Sequence, residues 1–352
     1  MTNQADLEPK RGMKVFFLCL AYLAVAAVPL SVGVFRPGMN HYDKAKVADM
    51  VYGRAHQPFV RRQLVPVMVR GCVAVMPDAV LNRLQEKFAK SELVKRVGWD
   101  AEYAGEFVAV ITLMYGALLG FLLILRLFLV QFFELSGIKS HVVAWATGLL
   151  LPATFCGVLY VYDFAQLLLF TSGALLMGQK RWGLFYPVFI LGCLNKETTI
   201  LLPVVFAVYH GWRILRWENL RHFLGQMGLG LAIVWMLSWL FQGNPGGAAE
   251  WHLERNLHPG LTGLGWARLI ILIAAVVLCL VGISRAPGFL RRGWLATMPI
   301  LLVATFFLGY IDELRDYYEA LPFTVGLILL TLGVKVRSTR DSFCTGEIPA
   351  SD

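Results

Sequence analysis

The stretch NHYDKAKVADMVYGRAHQPFVRRQLVPVMVR, residues 40–70, decides how the rest of the chain is read. It sets His41, Asp43, Lys44, Lys46, Asp49, Arg54, His56, Arg61, Arg62 and Arg70 directly behind an apolar run from Met13 to Phe35. That run has the length of a bilayer core, which takes about 20 residues at 1.5 Å rise each. Ionisable groups fixed beside a membrane span cost free energy to hold there, so they are functional candidates by default. The stretch therefore points to a membrane protein with chemistry at one face.

Composition agrees. The chain is 57% hydrophobic and 16% charged, and its mean hydropathy is +0.62. A soluble domain is about 45–50% apolar and about 25% charged. Apolar runs recur along the chain without the alternating ten-residue segments of a membrane barrel, so the spans are expected to be helices. The first run is long and leads into no small-residue cleavage pattern, so it reads as a retained span. A net charge of +9 is first a topology signal in such a protein. No basic tail with interleaved aromatics is present, and nucleic acid is not expected as a partner. The six cysteines, Cys19, Cys72, Cys156, Cys193, Cys279 and Cys344, form no CxxC pair. They read as small core hydrophobes.

The expected fold is an all-α polytopic membrane protein of about ten transmembrane helices, forming one domain over residues 1–352. The spans are Met13–Phe35, Glu106–Phe132, His141–Val161, Asp163–Met177, Leu184–Leu194, Thr199–Ile214, Phe223–Phe241, Trp266–Ile283, Trp294–Tyr310 and Leu321–Val334. Residues 36–104 form the first outer loop, and its pieces 64–76 and 78–98 read as helices lying in the membrane interface. Residues 335–352 form an inner tail. Short inner loops carry Lys139, Lys180, Arg181, Arg213, Arg216, Arg221, Arg285, Arg291 and Arg292. The outer loops carry Asp163, Glu250, Glu254, Asp312, Glu313, Asp316 and Glu319. The positive-inside rule then places both termini in the cytoplasm. The first outer loop breaks this pattern by being basic, which suggests an anionic ligand.

Four polar groups fall on the outer side: the opening stretch, Tyr162-Asp163, Asn195-Lys196-Glu197, and Asp312-Glu313-Leu314-Arg315. Asp43 is the first candidate for a general base on an acceptor hydroxyl. Its bland alternative is a surface carboxylate paired with Lys46. Asp49 is the competing base. His41 and His56 suit hydrogen bonding better than metal ligation. No cofactor is expected, although a divalent metal stays open. Arg61 and Arg62 have the forked donors that fit phosphate oxygens. Lys196 and Glu197 interrupt an apolar stretch, and Glu313 and Arg315 sit at the mouth of the last span. Each pair could hold substrate or neutralise itself, and Asp163 joins them as a binding candidate.

The order of parts in HYDKAKVADMVYGRAHQPFVRRQLVPVMVR, with the pieces YDFAQLLLF, LNKETTILLP and DELRDYYEALP, resembles the GT-C superfamily of membrane glycosyltransferases. In that family an acid in the first outer loop is the usual catalytic base, and interfacial helices follow it. The resemblance implies a polyprenyl-phosphate sugar donor, a glycan or lipid acceptor, transfer on the outer face of a bacterial inner membrane, and Asp43 as base. It departs from many members in that the two acids, Asp43 and Asp49, are not adjacent. A transporter or flippase of a lipid-linked or anionic solute is the rival reading, and a polysaccharide polymerase is a second.

Overall fold

A computed structural model describes residues 8–155, 158–247, 249–258 and 263–337. The expectations for Cys156, for Cys344 and for the tail beyond residue 337 lie outside these. Among the described residues there is no strand; an isolated bridge joins Phe133 and Val336.

The first helix, α1 (Glu8–Gly33), is followed by the charged stretch, which folds as a string of short helices. These are α2 (Val47–Val51), α3 (Leu64–Ala74), α4 (Asp78–Lys90) and α5 (Glu92–Arg96). Helices α3 and α4 meet at 112°. Pro77 stands at the bend in extended conformation and disfavours helix in the residue before it. Asp78 then opens α4 and Lys87 and Lys90 close it, which matches the helix dipole.

The long helix α6 (Ala104–Phe132) packs against α1, α3, α8 (Asp163–Gly178) and the intervening α7 (Ile138–Leu150). Then follow α9 (Trp182–Asn195), α10 (Leu201–His210), α11 (Trp217–Leu240), α12 (Leu253–Leu257), α13 (Gly263–Gly282), α14 (Gly288–Leu308) and α15 (Leu321–Thr331). Helix α8 is the core of the bundle, with Phe164, Leu167 and Phe170 fully buried. Tight crossings need glycine. A Cβ on Gly282 would stand 2.3 Å from the Leu327 carbonyl oxygen where α13 crosses α15.

Six helical stretches are long and apolar enough to cross a bilayer: Gly12–Arg36, Ala101–Phe132, Glu197–Leu215, Trp217–Leu240, Gly265–Arg285 and Gly288–Leu308. Large apolar side chains such as Phe16, Leu20, Trp235, Ile270, Ile273 and Val277 face outward from them. A soluble monomer rarely exposes so much apolar surface, and these features mark an integral membrane protein. Cys193 and Cys279 are buried, whereas Cys19 faces outward from α1. The other expected spans correspond to shorter helices, α7, α8, α9 and α15. The stretch expected as His141–Val161 departs most, because α7 ends at Leu150. Pro152 follows within a short 3-10 turn, and a proline there cannot continue the helical bonding.

Alternate connections gather at opposite ends. At one end Gln63 N–H donates to Leu194 O at 2.9 Å, Gln57 N–H to Pro245 O at 2.8 Å, and His252 N–H to Phe307 O at 2.8 Å. At the other end Glu134 N–H donates to Lys335 O at 3.1 Å, Gln179 bonds Gln131 at 3.0 Å, and the Trp182 ring lies 4.1 Å from that of His222. The second end holds the connections rich in Lys and Arg and is called the basic end below; the first is the charged end. Exposed tryptophans mark both levels. Trp217 and Trp239, near opposite ends of α11, are both exposed and stand about 33 Å apart at 1.5 Å per residue.

Candidate functional site

At the charged end the 3-10 segment Leu314–Ala320 turns back into the bundle. Three residues per turn place Asp316 and Glu319 on one face. Arg315 is buried. Its guanidinium pairs with Glu313, donates to Val158 O, lies 3.6 Å from Asp163 Oδ2 and covers the Tyr160 ring at 4.2 Å. Asp163 opens α8, and its Oδ2 also accepts from the Tyr160 backbone N–H at 2.9 Å.

Lys196 sits in extended conformation between α9 and the turn that opens α10, so its side chain leaves the helical path. Its ammonium reaches Glu319 Oε1 at 3.3 Å. The same oxygen accepts from Gln166 Nε2 at 3.1 Å and from the Thr198 hydroxyl. Asn195 donates to Tyr162 O at 3.1 Å and to Gln166 Oε1 at 3.2 Å. Glu197 receives both arms of Arg62, at 2.7 and 3.3 Å, and Arg62 lies 4.4 Å above the Tyr162 ring. Stacked Tyr160 and Tyr162 continue into Phe59 and Tyr42, forming an aromatic floor between these ion pairs.

This cluster holds more acid than base. Asp163, Glu197, Glu313, Asp316 and Glu319 face Arg62, Lys196 and Arg315. Burial pushes the Glu313 carboxyl up to about 7; Arg315 opposes the shift, while Asp316 and Asp163 add to it. Burial also raises Asp316, against the pull of Lys196 and Arg315. Both carboxyls are therefore harder to ionise than exposed ones.

Arg61 stands beside the cluster. Its Nη2 donates to Gln57 Oε1, and its Nε is buried without an acceptor. It lines a cavity of about 160 Å³ with Pro58, Cys193, Glu197, Val234 and Leu237, between the opening stretch, α9 and α11.

The structure thus brings Arg62, Asp163, Lys196, Glu197, Glu313 and Arg315 into one network, sets Arg61 beside it, and leaves the other three candidates outside it. The Asp43 side chain is 90% exposed and pairs with Lys46 at 3.0 Å. Its neighbours Tyr42 and Lys44 are both held by Glu250, so Asp43 sits on the rim. Asp49 pairs with Arg54 at 3.2 Å. His41 is exposed. Sequence reasoning did not single out Gln166, Tyr160, Glu250 or Glu319 as site residues. Only Gln166, a polar residue one turn inside an apolar helix, carried a local signal. Among the described residues no group of three or more His, Cys, Asp or Glu side chains is placed to hold a metal ion. No family model, curated protein or solved structure matches the chain.

Proposed function

We propose that the protein is a GT-C-like membrane glycosyltransferase that moves a sugar, with inversion, from a polyprenyl-phosphate donor to an acceptor hydroxyl. Arg61 carries this reading. Arg62, Lys196 and Arg315 each already face a carboxylate, at 2.7, 3.3 and 3.6 Å. Arg61 has no ion pair among the described residues, and its buried Nε lacks an acceptor beside a cavity. A phosphate group supplies the missing acceptor. The apolar walls Cys193, Val234 and Leu237 suit the start of a prenyl chain leaving between α9 and α11.

In this reaction the acceptor oxygen attacks the anomeric carbon and its proton passes to a carboxylate. The bond from that carbon to the phosphate oxygen breaks, and its electron pair leaves with the phosphate. Arg61 stabilises the departing charge. Asp43 is the base, with Asp49 as its competitor; the exposure of Asp43 leaves it open to an acceptor arriving from outside. The same reading has ten crossings, with α7, α8, α9 and α15 as short ones. Both termini lie on the basic, cytoplasmic side of a bacterial inner membrane, and residues 36–104 lie outside.

The test is transfer from radiolabelled polyprenyl-phosphate sugars by the purified protein in proteoliposomes. Arg61→Ala is expected to raise the KM for donor roughly 10–100-fold, the worth of a lost charged hydrogen bond, with partial recovery in Arg61→Lys. A transporter is the second reading, favoured by the acid excess and by the helix break at Lys196. Saturable solute uptake without sugar transfer would establish it and overturn the transferase.

A further inference from the structure

A second site lies at the basic end, far from this chemistry along α1 and α7. The two helices approach closely in the halves away from the basic end, where a Cβ on Gly148 would stand 3.0 Å from Val25 Cγ1. Tyr22 still bridges them through a 3.0 Å hydrogen bond to His141 Nδ1 and an edge contact with Trp145. Towards the basic end they diverge. The gap is a groove of about 640 Å³, lined by Met13, Lys14, Phe17, Leu18 and Ala21 on α1 and by Gly137, Ile138, His141 and Trp145 at the start of α7. On each helix the lining residues recur at intervals of three, four or one, so each presents one continuous stripe. The volume falls within the range of ligand sites, about 300–1,000 Å³.

The one charged side chain among the lining residues is cationic. Lys14 lines the groove, Lys139 follows Ile138 directly, and Arg126 on α6 donates to Ser140 Oγ at 3.0 Å behind the α7 wall. No acidic side chain is among the lining residues. We propose that this groove is a binding site for an anionic phospholipid, with one acyl chain between α1 and α7 and the headgroup phosphate at Lys14. The apolar walls hold the chain, and the ammonium selects the charge. The occupant is a lipid of the leaflet at the basic end, not the sugar donor, so the site stands independently of the transferase reading.

Native mass spectrometry of the full chain in detergent, with phosphatidylglycerol or phosphatidylcholine added, tests this. The wild type is expected to retain one phosphatidylglycerol and to lose phosphatidylcholine. Lys14→Glu should weaken retention about tenfold, and Lys14→Arg should keep it. Ala21→Phe, which fills the groove, should remove binding of either lipid while leaving the melting temperature within a few degrees. Equal retention of both lipids, or full retention in Ala21→Phe, overturns the proposal. Displacement by inorganic phosphate would mean a free-anion site and overturns it as well. So does binding that appears only after deletion of residues 2–7, because the chain's own N-terminus would then be the occupant.

Discussion

Replacing Arg315 by methionine keeps most of the side-chain volume and removes the charge. In the wild type the guanidinium neutralises Glu313 and Asp163, donates to Val158 O and covers Tyr160, at 4% side-chain exposure. Breaking a buried pair by removing one partner costs about 3–5 kcal/mol, because the other charge is left uncompensated. Part of that loss depends on pH. The Glu313 carboxyl sits at about 7 even with Arg315 present, against a usual value of 4.5. Its contribution to stability is therefore fully present below 4.5 and is lost as pH rises through about 7. Without the cation the carboxyl climbs further, so Arg315→Met relieves itself by binding a proton in acid and cannot do so in base. Two pH units bound the difference at about 2.7 kcal/mol. Unfolding by denaturant in mild detergent, followed by tryptophan fluorescence, should give a loss of roughly 3 kcal/mol at pH 6 and a larger one at pH 8. Adding Glu313→Gln should recover part of the loss at pH 8 and flatten the pH dependence. A variant within about 1 kcal/mol of wild type at both pH values would show that Arg315 is not compensating buried charge.

Asp43→Asn should lower turnover in the transfer assay by roughly 10²–10⁴-fold with the donor KM unchanged; full activity there, with loss in Asp49→Asn, would move the base to Asp49. Gly282→Val places two methyl groups and a Cβ against the Leu327 carbonyl, which cannot retreat as a side chain would. It should cost about 1–3 kcal/mol by overpacking and shift unfolding accordingly, and an unchanged midpoint would contradict the α13–α15 crossing. Reporter fusions at Arg181 and Gly247 should give opposite signals, cytoplasmic and external, and equal signals would refute the ten-crossing arrangement.

The spans of α1, α6, α11, α13 and α14 were legible in the sequence because an unbroken apolar run of bilayer length has few other uses. The buried cluster was partly legible for the same reason: polar groups inside apolar stretches must turn towards one another. What local sequence could not tell is which carboxylate is buried. Tyr42-Asp43 and Tyr162-Asp163 are the same dipeptide, yet the Asp43 side chain is 90% exposed and that of Asp163 only 5%. The difference is made by Arg315, far along the chain, and by the non-helical segment 158–162 that carries Tyr160 and Tyr162. In sequence the residues up to Val161 read as part of a span because they are mostly apolar or aromatic. The Arg61 cavity was equally hidden, since it depends on α9 and α11 meeting beside the opening stretch.

The tryptophans of α11 have a consequence for the lipid in which the protein works. A girdle separation of about 33 Å is a little more than a hydrocarbon core of about 30 Å, so the helix is long enough to span with some tilt. A core of about 27 Å leaves a larger mismatch, which tilt, kinking or local thickening of the bilayer takes up. Val234 and Leu237, which wall the Arg61 cavity, ride on that helix, while Cys193 and Glu197 opposite them belong to α9 and the turn after it. Varying acyl-chain length in a reconstituted membrane therefore tests whether bilayer thickness reaches the cavity through that helix.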